Sequence, residues 1–321
     1  ILLKHSLNGK VNPLLSINLC CYNSEKYLRE TLDSVINQTF KKWELVIIND
    51  GSADSTEEII LEYIDKGYPI VYHSQKNKGL GFSRNKALEL SRGEFIAFLD
   101  HDDVWLPEKS ELQISSFLND KDVDFAYSNL YVLKNGRRRV CYEKRQPDGH
   151  VFEKFMYHYP VAVLTVMIRR KAIDRLDSLF DQRLCLTEEY DLFMRLLCKS
   201  KAVYIDAPLA VYRVHPDMNS IKYFENWPEE MAYIIEKIKR MDTTLEVKYD
   251  AGFKYLNAKI GYYRARTEMA KSNKSGARQY LKPYKWTDNK FLLLYLMTYL
   301  HPWVWRKVHA HRDGGTFCEP V

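Results

Sequence analysis

Between Leu14 and about position 100, short apolar runs alternate with stretches whose apolar residues recur at helical spacing. Leu15–Cys20, Trp43–Ile48, Ile70–His73 and Phe95–Leu99 are nearly continuous apolar runs of strand length. Between the first two, Leu28, Leu32, Val35 and Ile36 mark one face of a helix over 24–38, with Asn23 or Ser24 as its cap and Glu25 at its positive end. Residues 55–64 and 81–91 also read as helices. This β-α-β-α-β-α-β order predicts an α/β fold, a mostly parallel, doubly wound sheet covered on both faces.

Ligands of open α/β sheets bind beyond the carboxyl ends of the strands. Three of the four predicted strands end in polar clusters there: Tyr22-Asn23 with Glu25, Asn49-Asp50, and Asp100 with Asp102 and Asp103. Past Pro107 the pattern is mixed. Asn135-Gly136 signals a hairpin, 164–168 a strand, and 189–198 a helix with Leu192, Phe193, Leu196 and Leu197 apolar. From about Tyr223 the text is helical and basic. The expected division is a tail over 1–13, an α/β domain over 14–220 and a helical C-terminal region over 221–321.

Hydrophobic residues make up 46% of the 321, enough for a sizeable core. The net charge of +6 suits an anionic ligand or an acidic membrane surface but is too small to argue for nucleic acid, and no nucleic-acid-binding motif is present. The six cysteines have no zinc or disulfide-scaffold spacing, which points to a reducing, cytoplasmic setting. No complete signal peptide is read at the N-terminus. The stretch "FLLLYLMTYLHPWVW", 291–305, is the most apolar; it is short for a bilayer span, and basic residues follow it. Two readings of it stand: a helix packed on the α/β domain, or one lying on the inner face of a membrane.

Three carboxylates within four positions repel one another unless a cation, a basic partner or solvent compensates. At Asp100–Asp103 they fit a hard divalent ion, Mg²⁺ or Mn²⁺, shared with a phosphate ligand, or an ordinary acidic turn before Pro107. Asp50 is either a turn residue or an acceptor for a base N–H or ribose hydroxyl. Lys76, Lys78 and Arg84 lie beside glycines at a helix start, where a phosphate could bind; the spacing is not G-x-G-x-x-G. Glu188, Glu189 and Asp191 open a helix, as acidic residues commonly do, or supply a general base.

Taken in order, these segments resemble the inverting family 2 glycosyltransferases, which have the GT-A fold. The resemblance rests on Tyr22-Asn23-x-Glu25, Ser34-Val35-x-x-Gln38-Thr39, Asp50-Gly51-Ser52-x-Asp54, Asn77-x-Gly79 with Arg84-Asn85, "GEFIAFLDHDDVW", "EEYDLFMRL" and "YRVH", and covers about 14–220. It implies Asp102 as principal metal ligand, with Asp100 near metal and ribose and His215 reaching the metal or diphosphate. It implies Tyr22, Glu25, Asp50 and Asn77 on the nucleotide, Arg84 on the diphosphate or sugar, and Glu189 as catalytic base. The implied reaction moves one sugar from a nucleoside diphosphate, UDP being the commonest, to a saccharide hydroxyl on an acceptor that a membrane lipid could carry.

Three positions depart from the family pattern: Cys20 for proline, Asn49 for the first Asp of a pair, and Glu189 for Asp. The element typical of processive polymerases is absent, which favours single addition. Two other classes stand beside this one. A sugar-nucleotide-binding scaffold would keep Asp50 and lose the base or metal ligands. A nucleotidyltransferase would carry a glycine-rich basic loop where this chain has "CCYNSEK".

Overall fold

The computed structural model describes Leu3–His5 and residues 14–309. The chain divides into two compact units, Ile1–Val151 with Pro160–Pro216 and Phe152–Tyr159 with Asp217–Val321.

The first unit is built on a ten-stranded sheet. Its strands are β1 Leu3–His5, β2 Leu15–Cys21, β3 Trp43–Asn49, β4 Ile70–Ser74, β5 Phe95–Asp100, β6 Val104–Trp105, β7 Val123–Lys134, β8 Arg137–Val140, β9 Met167–Arg169 and β10 Lys201–Val214. The order is β1-β4-β3-β2-β5-β9-β7-β10-β6, with β8 paired to β7. Strands β4, β3, β2 and β5 run parallel, as do β7 and β10. The other pairings are antiparallel. Strands β2 and β3 are buried at every position, and β4 and β5 at all but the last, which is why they read as unbroken apolar runs. Helices Leu28–Ile36, Thr56–Asp65 and Leu80–Leu90 connect them.

Several expectations need correction. Within the supposed tail, Leu3–His5 pairs with the edge of β4; the rest of 1–13 lies outside the described residues. The first helix is regular only from Leu28, because the backbone ahead of it is tied elsewhere. Ser24 Oγ accepts from Tyr22 N–H at 3.0 Å, and Ser24 N–H donates to Thr56 Oγ1 at 2.7 Å, so Ser24 does not cap that helix. The strand expected over 164–168 is a 3-10 turn, Val163–Thr165, followed by β9. Strand β10 went unread: Pro208 interrupts its pattern and sits at a register shift against β7. The hairpin is present, with Asn135 and Gly136 at φ of 51° and 73°, the left-handed pair of a type I′ turn.

The second unit is helical. Trp227–Met241, Asp250–Ala270, Lys274–Leu281, Asn289–Met297 and Pro302–His309 are its longer helices. Tyr262, Met269, Leu281, Phe291, Leu294 and Trp305 share its core. The apolar stretch 291–305 is therefore two helices, the second opened by Pro302. Among the described residues no helix is long and apolar enough to cross a membrane.

Candidate functional site

The ends of β2, β3 and β4 form one cleft. Asp50 follows β3 and is 5% exposed. Its carboxylate accepts from Gln75 Nε2 at 2.8 Å and from the backbone N–H groups of Lys78 and Gly79, each at 2.9 Å. The last two stand at the start of the Leu80–Leu90 helix, where N–H groups lack helical partners. Asn49 secures the same turn: its Oδ1 accepts from Ser52 N–H at 3.0 Å and its Nδ2 donates to Tyr72 Oη at 3.1 Å. An ionised Asp could not donate there, so asparagine suits this site. Gly51 sits at φ of +80°, and a Cβ would come within 2.9 Å of Asn77 N. Gly51, Ser52, Ser74, Gln75, Lys76 and Asn77 line an open cavity of ≈ 530 Å³. That volume lies within the range of small-molecule sites.

The loop after β2 is laced to the loop after β3. Asn23 N–H donates to Ser52 Oγ and Asn23 Oδ1 accepts from Ala53 N–H, both at 2.9 Å. Asp54 Oδ2 accepts from Glu25 N–H, and Glu25 Oε2 from Ser55 N–H, both at 3.0 Å. Glu25 thus serves the start of the Thr56–Asp65 helix rather than the one after it in sequence. Tyr22, half-exposed, stands at the head of this lacing. Cys20 packs among Val46, Ile48, Val71 and Ala87, and burial pushes its thiol up to about 12, so it behaves as a core residue.

The end of β5 is different. Asp100 Oδ1 meets Arg84 Nη2 at 3.1 Å. Arg84 Nη1 meets Glu188 at 2.6 Å and Glu189 at 3.5 Å. Arg84 is 4% exposed, so its guanidinium is occupied by three carboxylates. Burial alone would lower its pKa, but Asp100, Glu188 and Glu189 outweigh that and raise it. Glu189 keeps 27% of its side chain exposed. Desolvation first, and then the Glu188 and Asp100 charges, push its carboxyl up to about 8 against the opposing pull of Arg84.

Asp102 Oδ2 lies 2.8 Å from His215 Nε2. Burial would raise the Asp102 carboxyl, but the His215 hydrogen bond and the His101 and His215 charges hold it below its usual value. Asp103 is buried, and desolvation together with the Asp102 and Asp100 charges raises its carboxyl well above the ordinary range. Arg213 binds this turn: its N–H donates to Asp103 Oδ1 and its Nε to the Asp102 carbonyl, both at 2.9 Å. Its Nη2 reaches Glu30 at 2.5 Å, and its guanidinium lies 4.5 Å from the Tyr27 ring centroid.

The structure therefore places Asp50 and Asn77 at one cleft, with Tyr22 and Glu25 on the loop laced beside it. Asp100, Arg84 and Glu189 form a second cluster, and Asp102 with His215 a third at the same strand end. Sequence reasoning offered Glu188 as a helix-start acid or general base and did not foresee its pairing with Arg84; it assigned no role to Arg213, which stood inside the quoted "YRVH". Among the described residues no three of His, Cys, Asp or Glu group as a metal cage. Asp102 and His215 offer one carboxylate and one imidazole, a donor set that fits an ion taking its remaining ligands from phosphate and water.

A mixed, mostly parallel sheet with polar strand ends, followed by a helical region, is a GT-A-like fold. The model of glycosyl transferase family 2 matches residues 16–176, and the chain belongs to that family. It is 33% identical over 211 residues to an uncharacterized glycosyltransferase of Methanocaldococcus jannaschii, covering 63% of this chain and 71% of that one. It is 31% identical over 184 residues to WfgD of Escherichia coli, a UDP-Glc:α-D-GlcNAc-diphosphoundecaprenol β-1,3-glucosyltransferase, covering 57% and 70%. Among solved structures, S. aureus TarS with UDP-GlcNAc superposes with a TM-score of 0.64 at 21% identity, over 94% of this chain and 88% of that one. A mannosyltransferase of Pyrobaculum calidifontis with GDP-Man and Mn²⁺ gives 0.58 at 15%, over 95% and 86%. Both share the fold.

Proposed function

We propose that the chain is an inverting, metal-dependent glycosyltransferase that moves one sugar from a UDP-sugar to a saccharide hydroxyl in glycan assembly. The observation that carries this reading is Glu189: a carboxyl raised to about 8, partly reachable by solvent, beside a strand end that carries Asp100 and the Asp102–His215 pair. A base with a pKa near the working pH is suited to take the acceptor proton as the bond forms. The cavity beside Asp50 and Asn77 would take the nucleoside, flanked by Tyr22 and Glu25. Asp102 and His215, with Asp100, would hold Mn²⁺ or Mg²⁺, whose charge would offset that on the departing diphosphate. Arg84 acts in this reading through Asp100 and Glu189, because its guanidinium is already engaged. UDP is favoured by the donors in the names of WfgD and the TarS complex.

A panel of nucleotide sugars, assayed by released nucleoside diphosphate with saccharide acceptors, tests this. Release that depends on donor and acceptor supports it. Donor binding without turnover on any acceptor would favour a scaffold, and pyrophosphate as product a nucleotidyltransferase.

The helical unit supports a peripheral membrane contact. Trp286 is 75% exposed, Leu293 60%, Trp303 57% and Tyr299 57%, while Lys285 and Lys307 lie over the Trp286 and Trp303 rings. Exposed aromatic and aliphatic residues beside lysines suit the headgroup region of an anionic bilayer. An acceptor on a lipid diphosphate, as in the name of WfgD, would place the enzyme there. The intact chain should co-sediment with anionic vesicles at low salt; a chain that stays in the supernatant removes this contact.

A further inference from the structure

The hairpin of β7 and β8 carries charge that the fold leaves uncompensated. Strand β8 reads Arg137-Arg138-Arg139-Val140, and all four residues are exposed. Lys134 stands directly opposite Arg137, and Val132 opposite Arg139. Opposed residues of an antiparallel pair share a face, and so do alternate residues of a strand. Lys134, Arg137 and Arg139 therefore lie on one face. Like charges directly opposite each other destabilise a pair of strands. Among the described residues no carboxylate pairs with these three or with Arg138. Arginines elsewhere in this unit do reach carboxylates: Arg145 meets Asp148, Arg175 meets Asp124 and Arg213 meets Glu30. Arg138, on the opposite face, lies 3.6 Å from the Tyr131 ring centroid.

The register puts this basic face at the reacting end of the sheet. Lys134 pairs with Val214 of β10, the residue before His215. At one strand spacing per step, Arg137 is about 10 Å from Val214. At 131–134 strand β10 occupies one edge of β7 and β8 the other. That second edge is the one β9 takes further back along β7, and β9 in turn pairs with β5. The hairpin thus rises on the side of β7 facing the strand that ends in Asp100.

We infer that Lys134, Arg137 and Arg139 form a phosphate-binding subsite for the acceptor, which would be a saccharide carrying a phosphate or diphosphate. This deepens the glycosyl-transfer reading and rests on it. Guanidinium groups bind phosphate through paired, charge-assisted hydrogen bonds, and a phosphate between these side chains would relieve their mutual repulsion. The donor diphosphate has its own place at Asp102 and His215, so an anion at the hairpin would belong to the second substrate.

The test uses the full chain, with chelator present and excess UDP filling the donor cleft. Inorganic pyrophosphate is then titrated by calorimetry against wild type, Arg137→Ser/Arg139→Ser and Lys134→Ser. We expect binding to weaken about tenfold or more in the double variant and less in the single one. Thermal midpoints should be unchanged or raised, because a like-charge contact has been removed. UDP binding, measured first with Mn²⁺ present and no chelator, reports on the donor cleft separately: its absence in wild type would count against the glycosyl-transfer reading, not against the hairpin. Equal pyrophosphate binding by all three proteins overturns the subsite. So does an absence of pyrophosphate binding in which the double variant instead loses co-sedimentation with equimolar phosphatidylcholine–phosphatidylglycerol vesicles; the hairpin would then be a membrane contact.

Discussion

At the end of β3, one carboxylate meets three donors; at the end of β5, five carboxylates crowd around a few cations. Asp50 is satisfied by Gln75 and two backbone N–H groups, all from the segment that starts the next helix. Asp100, Glu188 and Glu189 share Arg84, while Asp102 and Asp103 depend on His215 and Arg213. The first arrangement is complete without a ligand and holds a cleft open. The second is electrostatically strained, with Asp103 and Glu189 both pushed toward protonation. A divalent ion or the proton of an acceptor hydroxyl would relieve it. Perturbed carboxyls of this kind cluster where proton transfer and charge stabilisation occur.

Breaking the strained end should have the largest effect. Asp102→Ala removes the carboxylate that pairs with His215, and transfer should fall by about 10³-fold, as expected where several kcal/mol of charge stabilisation is lost. Excess chelator should act likewise on the wild type and added Mn²⁺ restore it; full activity in chelator separates the reaction from any metal.

Breaking the satisfied end should cost stability as well as donor affinity. Asp50→Ala strands the N–H groups of Lys78 and Gly79 and the Gln75 amide, a loss of about 1–3 kcal/mol in urea denaturation. Unchanged stability would show that water replaces the carboxylate there without penalty, and that the turn is held by Asn49 alone.

A smaller effect sharpens the contrast through pH. The Glu189 carboxyl titrates at about 8 when folded, against an ordinary 4.5. The folded state then binds more protons than the unfolded state between these values, so this group lowers stability progressively as pH rises from 4.5 through 8. Glu189→Gln should flatten that part of the stability curve.

The same contrast explains what the sequence reveals. Strands β2, β3 and β4 are buried almost throughout and appear as apolar runs, and Asp50-Gly51 follows one of them directly. The Asn135-Gly136 turn is equally local. Arg84 meets Glu188 across 104 positions, and Arg213 meets Asp103 across 110. No periodicity carries such pairings, so Glu188 reads in the sequence as a helix-start acid or a base, and Arg84 as a cation available to a phosphate. Strand β10 was hidden by Pro208 and its register shift, and with it the route by which Arg213 and His215 reach the end of β5.

In the proposed reaction the strained carboxylates form the reacting end and Glu189 is its base. Glu189→Gln keeps the side chain's size and removes its capacity to take a proton. Single-turnover transfer and donor binding should be measured together on this variant and on Asp191→Asn. Near-normal donor binding by Glu189→Gln, with a loss of about 10²–10⁴-fold in transfer, is the expected result. Transfer by Glu189→Gln at the wild-type rate, with Asp191→Asn inactive, would contradict it.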